Sequence, residues 1–177
     1  SQVMPAVMMA QMMSGSGSPA PLHFNNVDAR LYGFDMDWNW DFASNWALSG
    51  IVNYVRGERE DIDDSLYRIA PPNATVRLGY AGNNWAVRLE SVLYSAQEKV
   101  SDTNRERETA GYGLLNLGAS WQISSNLQLA AGVDNLLDKQ CEDHLGGYNR
   151  VANPDIATGA RLPGYGTNIF ARVSYTF

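Results

Sequence analysis

The sequence predicts an all-β protein whose strands belong to a transmembrane antiparallel β-barrel. Apolar and polar residues alternate over seven segments of about ten residues, and short connections alternate with long ones. Successive side chains of a strand point to opposite faces, so this alternation describes a sheet with one apolar wall and one polar wall. A tilted strand needs about 9–11 residues to cross the hydrocarbon layer of a bilayer, which matches the segment lengths.

The first predicted hairpin shows the alternation most clearly. Residues 30–40 (RLYGFDMDWNW) carry large apolar side chains at every second position: Tyr32, Phe34, Met36 and Trp38. Residues 46–55 (WALSGIVNYV) repeat the pattern more weakly after the short turn DFASN. Two adjacent alternating segments joined by a short turn predict an antiparallel pair of strands.

Two further hairpins and a final strand follow. The second hairpin joins residues 74–80 to 85–93 through AGNN, and the third joins residues 114–122 to 127–135 through ISSN. Residues 168–177 form the last predicted strand. Every charge in the middle of the seven segments lies on the polar face: Asp35, Asp37, Arg77, Arg88, Glu90, Asp134 and Arg172. The pattern therefore predicts a polar wall that faces the lumen of a barrel.

The connections predict which end of the strands faces which side of the membrane. The three turns are short, whereas the connections at 57–72, 97–111 and 137–163 are long. Outer-membrane barrels have short periplasmic turns and long extracellular loops, so we expect the C-terminus to lie in the periplasm. Aromatic residues lie beside the short turns and at the C-terminus, where they are expected to form an interfacial girdle. These residues are Trp38, Trp40, Trp46, Tyr80, Trp85, Trp121 and Phe177.

Composition and charge exclude several other classes of protein. The formal net charge is −6 at pH 7, so the clustered basic surface that nucleic acid requires is missing. Cys141 is the one cysteine, so no intrachain disulfide can form. No stretch approaches the roughly 20 consecutive apolar residues of a membrane helix. A soluble antiparallel sandwich would also alternate, but its outward face would carry Lys and Glu rather than the Trp, Leu, Val and Tyr found here.

Seven strands do not close a barrel. Bacterial barrels almost always have an even number of strands, and an open sheet edge in lipid leaves backbone groups without hydrogen bonds. We therefore expect the chain to be the C-terminal part of a larger barrel that begins in the middle of an extracellular loop. In this interpretation residues 1–27 are an extracellular, Met-rich loop and residues 28–177 supply the C-terminal strands.

Two motifs resemble a known family. GVDNLLDKQC (132–141) and the terminal ARVSYTF (171–177) resemble the C-terminal end of TonB-dependent outer-membrane receptors, and the resemblance covers about residues 27–177. The resemblance implies a barrel of about 22 strands closed by an N-terminal plug. It also implies uptake of a scarce ligand, driven by the periplasmic TonB energy-coupling complex.

The resemblance implies further partners. The plug is not among these 177 residues, so the plug and the remaining strands are expected from other parts of the same receptor. In the complete barrel, the lumen charges would face either the plug or solvent. Val173, Tyr175 and Phe177 resemble the assembly signal read by the barrel-assembly machinery, and they would equally form a strand that faces outer-membrane lipid.

The N-terminal segment VMPAVMMAQMMSG (3–15) indicates a ligand. It contains five methionines: Met4, Met8, Met9, Met12 and Met13. Thioethers are soft ligands that favour Cu(I), and His23 follows in the same predicted loop. Together with CEDHLGGYNR (141–150), this segment resembles the copper-receptor branch of the family. We therefore expect copper uptake, with these methionines and His23 as candidate ligands.

Other readings of the same features stay open. In one alternative, the methionines are packing residues of an apolar lid, since methionine is also a flexible filler. The transported ligand would then be a siderophore or another metal chelate held by Arg and aromatic residues. A passive or structural barrel is the alternative from another class of protein. Cys141 and His144 form a C-x-x-H pair that is a weaker metal candidate.

No feature of the sequence indicates an enzyme. The chain has two histidines, and the surroundings of His23, His144 and Asp155 do not match the motif of a catalytic nucleophile. No catalytic cofactor is expected, and the copper ion is the expected transported ligand.

Overall fold

A computed structural model describes residues 26–177, and residues 1–25 lie outside the described part of the chain. Seven strands form one antiparallel sheet in which each strand pairs with its neighbours in sequence. The strands are β1 (Ala29–Ala43), β2 (Trp46–Arg59), β3 (Asn73–Ala81), β4 (Trp85–Tyr94), β5 (Tyr112–Gln122), β6 (Leu127–Asp134) and β7 (Asn168–Tyr175). The prediction of an all-β fold with seven antiparallel strands is confirmed.

The first turn is tighter than its sequence suggests. β1 continues past its predicted end at residue 40, because its register with β2 shifts between Asp41 and Ala43. Such a bulge accommodates one extra residue within an antiparallel pair. The turn therefore consists of residues 44–45 rather than the whole of DFASN, and Phe42 belongs to the strand.

The sheet is a single layer. Among residues 26–177, no hydrophobic side chain is buried, and large apolar side chains such as Leu31, Ile169 and Val173 are mostly exposed. A soluble sandwich would cover one face of this sheet with a second layer, and the described residues provide none. None of the described residues forms a helix long and apolar enough to cross a membrane.

The strand register confirms that the two faces differ in polarity. One row of paired residues crosses the sheet with only apolar side chains: Trp40, Leu48, Leu78, Leu89, Leu117, Val133 and Ile169. The neighbouring row on the opposite face is polar across five strands: Asn39, Ser49, Arg77, Glu90 and Asn116. The polar face also has an apolar part, which the alternation in the sequence did not predict. Its residues Ile51, Val92 and Leu114 share a row with Asp37 and Thr75.

The buried polar residues lie outside the strands. They are Gln97, Ser101, Thr109, Asn135, His144, Asn149 and Arg161. All of them belong to the connections 95–111 and 135–167. The long loops, rather than the sheet, are therefore the tightly packed part of the described chain.

Candidate functional site

Aromatic side chains form a continuous row on the apolar face, at the short-turn ends of β1 to β4. We call it the aromatic row; its members are Trp40, Phe42, Trp46, Tyr80 and Trp85. The ring centroids of successive members lie 5.4, 6.4, 4.9 and 4.9 Å apart. Sequence reasoning missed Phe42, because the bulge that keeps this residue in β1 depends on pairing with β2.

The polar face contains a shallow trough near the same end of the strands. A concavity of about 650 Å³ is lined mainly by small residues, together with Asp41, Phe170 and three arginines, Arg77, Arg88 and Arg172. Its lining includes Gly118, which pairs with Gly132 of the neighbouring strand. Glycine on a strand permits the close approach of another group to the backbone.

The phenyl ring of Phe170 explains why Gly132 is glycine. A Cβ atom at this position would lie 2.5 Å from the ring of Phe170 and 2.8 Å from the carbonyl oxygen of Leu117. The ring therefore lies close to the backbone of Gly132. Gly79, in the same row, has only one atom within 4 Å of such a Cβ, the carbonyl oxygen of Ala47 at 3.8 Å.

The arginines of the trough differ in their partners. Arg77 forms an ion pair with Glu90, whose other oxygen accepts a hydrogen bond of 3.0 Å from the Asn116 amide. Within the described part of the chain, Arg88 and Arg172 form no ion pair. The trough thus offers two arginines without an ion pair and one carboxylate, Asp41, among small side chains, and this excess of positive charge suits a polypeptide segment carrying carboxylates.

The motif GVDNLLDKQC forms a fixed turn at the end of β6. Asn135 is buried and has a left-handed backbone (φ 50°), which asparagine adopts more readily than most residues. Its amide group donates to the carbonyls of Lys139 at 3.0 Å and Tyr165 at 3.1 Å, and its side-chain oxygen accepts from the Lys139 amide at 2.8 Å. Its own backbone amide donates to Asn116 at 2.9 Å. The motif therefore anchors the start of the connection 135–167 to both β5 and the segment that leads into β7.

A buried polar cluster joins the long loops. His144 lies with one ring nitrogen, Nδ1, 2.9 Å from the Thr109 hydroxyl and the other, Nε2, 3.2 Å from Glu106 Oε1. Burial lowers the pKa of His144, and Arg161 lowers it further, whereas Glu106 raises it; the net shift is downward. The Arg161 guanidinium donates to the carbonyl of His144 at 2.5 Å and to the hydroxyl of Tyr148 at 2.8 Å.

The sequence-predicted metal ligands have different outcomes. Met4, Met8, Met9, Met12, Met13 and His23 lie outside the described residues, so their role stays a prediction. Cys141 is a half-buried free thiol whose pKa is raised by burial, which disfavours the thiolate that binds metals. The imidazole of His144 is engaged by Thr109 and Glu106, and among residues 26–177 no group of three or more His, Cys, Asp or Glu side chains is placed to hold a metal ion.

The C-terminal residues of the predicted assembly signal lie at the edge of the sheet. Val173 and Tyr175 belong to β7 and are exposed on its apolar face, and Phe177 is fully exposed. The rings of Tyr175 and Phe177 meet edge to face with centroids 5.1 Å apart. Their role in assembly stays a prediction.

Comparison with known proteins decides the family. The family model described as "TonB dependent receptor-like, beta-barrel" matches residues 10–136, more than half of the chain. The chain belongs to the TonB-dependent receptor family. This confirms the resemblance seen in the sequence and the interpretation of the sheet as part of a receptor barrel. No curated protein sequence matches the chain significantly.

Several solved structures share the fold. The chain is similar to the copper transporter OprC, with 25% identity and a TM-score of 0.80 over 86% of this chain and 24% of OprC. It is also similar to the ferric yersiniabactin uptake receptor FyuA from Yersinia pestis, with 17% identity and a TM-score of 0.65 over 84% of this chain and 24% of FyuA. A mutant of the ferric enterobactin receptor PfeA from Pseudomonas aeruginosa matches with 19% identity and a TM-score of 0.63 over 83% of this chain and 22% of PfeA.

The matched structures differ in what their names say they bind or transport. The chain spans about a quarter of their length. One of them is a copper transporter and two are receptors for ferric siderophores. The family is thus one of receptors and transporters, and the ligand of this chain has to be argued from its own residues.

Proposed function

We propose that this chain is part of a TonB-dependent outer-membrane receptor that imports copper. The observation that carries the proposal is the group of five methionines in residues 3–15. Thioether sulfur is a soft donor that suits Cu(I), whereas ferric siderophores are held as whole chelates. The similarity to a copper transporter at a TM-score of 0.80 supports the same ligand.

The geometry of the sheet supports a capture role for the N-terminal segment. Ala29 begins β1 opposite Arg59, and the Glu60 amide donates to the Asp28 carbonyl at 2.8 Å. The chain therefore enters β1 at the end of the sheet that carries the long connections. In our proposal this end is extracellular, and the aromatic row at the opposite end lies at the periplasmic interface of the bilayer.

The trough on the polar face supports a plug as the partner inside the barrel. Its small-residue floor and the charges of Arg88 and Arg172 suit a carboxylate-bearing segment of the plug. Membership of the family implies that the TonB complex supplies the energy for transport through the N-terminal part of the receptor. We propose that copper passes this trough when the plug rearranges.

Copper binding by the intact receptor in detergent tests the proposal. We would measure Cu(I) and Cu(II) affinity for the wild type and for a variant in which Met4, Met8, Met9, Met12 and Met13 are replaced by Leu. Met36→Leu is the matched control, because Met36 is the one methionine outside the segment and lies exposed on the apolar face of β1. We expect tight copper binding that the five substitutions weaken and Met36→Leu leaves unchanged.

The other outcomes are equally informative. Copper binding that survives the five substitutions would keep copper as the ligand and contradict the role of the methionines. Absence of copper binding to the wild type would contradict the proposed ligand.

A siderophore receptor is the second candidate, and one observation favours it. In the long loops, the guanidinium carbons of Arg107 and Arg161 lie 5.8 and 4.7 Å from the centroid of the Tyr148 ring, and Arg107 is exposed whereas Arg161 is buried. An exposed arginine beside an aromatic ring, as Arg107 is here, is suited to bind an anionic chelate. Quenching of intrinsic fluorescence by ferric siderophores, without a response to copper, would establish this alternative.

A further inference from the structure

Three long connections meet at the same end of the sheet. They are residues 60–72 between β2 and β3, residues 95–111 between β4 and β5, and residues 135–167 between β6 and β7. Loops of this kind usually open independently, because each is exposed and makes few contacts. Here the buried polar side chains of the described chain are concentrated between them.

The first and second connections are joined by a carboxylate. Asp64 accepts hydrogen bonds from the Ser101 hydroxyl at 3.1 Å and from the backbone amides of Asp102 at 2.8 Å and Thr103 at 3.1 Å. These bonds hold the pKa of Asp64 well below its usual range. The side-chain amide of Gln97 adds a 3.0 Å bond to the Ile69 carbonyl.

Glu106 contacts all three connections. One of its oxygens accepts from the Arg68 amide at 2.9 Å and lies 3.2 Å from His144 Nε2, and the other accepts from the Ser101 amide at 3.0 Å. Its side chain is 3% exposed. Arg68 extends the link, because its guanidinium donates to the Leu145 carbonyl of the third connection.

Arg161 supports the same cluster from the third connection. Its buried guanidinium donates to the carbonyls of Asp143 at 3.2 Å and His144 at 2.5 Å, and to the Arg107 carbonyl of the second connection at 3.2 Å. A buried charge that has lost water needs this number of acceptors. The side chain therefore stays bound only while the second and third connections stay together.

The backbone of the first connection also depends on the cluster. Arg68 has a left-handed conformation (φ 60°), which is unfavourable for a residue other than glycine, and its amide is the one that donates to Glu106. Such conformations persist where the surroundings fix them. Release of Glu106 would remove that restraint.

We propose that the three connections open and close as one cooperative unit, the loop clasp, and that the Glu106 carboxylate couples them. The clasp consists of Arg68, Glu106, Thr109, His144 and Arg161 together with the backbone they contact. The side chains of Glu106 and His144 are buried, so opening of one connection leaves polar groups of another connection without their partners and destabilises it. The proposal does not depend on which ligand the receptor transports.

Native-state hydrogen exchange of the intact receptor in detergent tests the clasp. The probes are hydrogen-bonded amides of the three connections: Arg68 in the first, Glu106 in the second and Leu162 in the third. In low concentrations of denaturant, we expect the three amides to exchange through one shared opening with the same denaturant dependence. Three openings with distinct free energies would overturn the proposal.

Substitution of the central carboxylate provides the second test. Glu106→Gln keeps the size of the side chain but removes its charge, and Glu108→Gln is the matched control because Glu108 is exposed two residues away. We expect Glu106→Gln to accelerate exchange in all three connections together, by about tenfold or more, while the strands keep their protection. Faster exchange confined to Arg68 and Ser101 would show that Glu106 does not couple the third connection.

Discussion

Glu106 Oε1 and His144 Nε2 lie 3.2 Å apart in side chains that are 3% and 1% exposed, although the two residues belong to different connections of the sheet. The contact is not a well-directed hydrogen bond, and among residues 26–177 Nε2 has no other partner. The imidazole is therefore held by burial and by its bond to Thr109. Its protonation state then affects how firmly the two connections stay together.

The first prediction concerns pH. The pKa of His144 in the closed loops is lowered from its ordinary 6.5, mainly by burial, so the closed state binds fewer protons than the open state. The contribution of the neutral imidazole is fully present above about pH 6.5 and is lost as the pH falls from there towards the lowered pKa. We expect amides around Thr109 and Leu145 to lose protection between pH 7.5 and 5.5, after correction for intrinsic exchange rates.

The two histidines of the chain provide the control for this prediction. His144→Gln should abolish the pH dependence, and His23→Gln should leave it unchanged. Protection that stays constant with pH in the wild type would contradict the prediction.

The second prediction concerns Asn135. Asn135→Ala removes three side-chain hydrogen bonds and places alanine at φ 50°, so we expect a loss of about 2–4 kcal/mol in the free energy of unfolding, measured in urea with lipid vesicles. Asn135→Gly keeps the left-handed backbone accessible and removes only the amide group. We expect Asn135→Gly to lose most of the same free energy of unfolding, because the side-chain hydrogen bonds are gone. A glycine variant as stable as the wild type would show that the left-handed backbone alone explains the asparagine at this position.

Much of the fold follows from local sequence, because a period of two residues is visible wherever one face of a strand is apolar. The predicted bounds of β4 and β6 lie within one residue of the observed strands. The continuation of β1 through Phe42 was not predictable in this way, since a bulge depends on the register with β2. The apolar surroundings of Ile51 on the polar face were not predictable either, because they are supplied by the neighbouring strands.

Most contacts of the loop clasp could not be predicted from the sequence. Glu106 and Arg68 are 38 residues apart, and no repeated spacing connects them. His144 was singled out as a metal candidate because it follows Cys141 in a C-x-x-H pattern, whereas its described contacts are Thr109 and Glu106. Contacts between loops depend on the sheet that brings their ends together, so local patterns do not reveal them.

The third prediction concerns Gly132, which lies beside the trough between Gly118 and Phe170. Gly132→Ala would place a Cβ atom 2.5 Å from the Phe170 ring and 2.8 Å from the Leu117 carbonyl oxygen, so we expect a destabilisation of about 1–3 kcal/mol in urea unfolding. Gly79→Ala is the matched control in the same row, because its nearest contact is an ordinary 3.8 Å. Equal stability of the two variants would mean that the wall of the trough adjusts without cost.

The last prediction concerns the charges of the trough. If Arg88 binds a carboxylate of the plug, Arg88→Glu places two negative charges together at that contact. Like charges that meet across a protein interface cost roughly several kcal/mol of binding free energy. The plug should then be retained less firmly, and cells that express the full receptor should admit large antibiotics that a closed barrel excludes. Arg30→Glu makes the same change in charge outside the trough, on β1 near the long connections, and should leave permeability unchanged. A leak caused equally by both variants would reflect general damage to the wall, and a tight barrel in Arg88→Glu would show that the plug does not depend on this arginine.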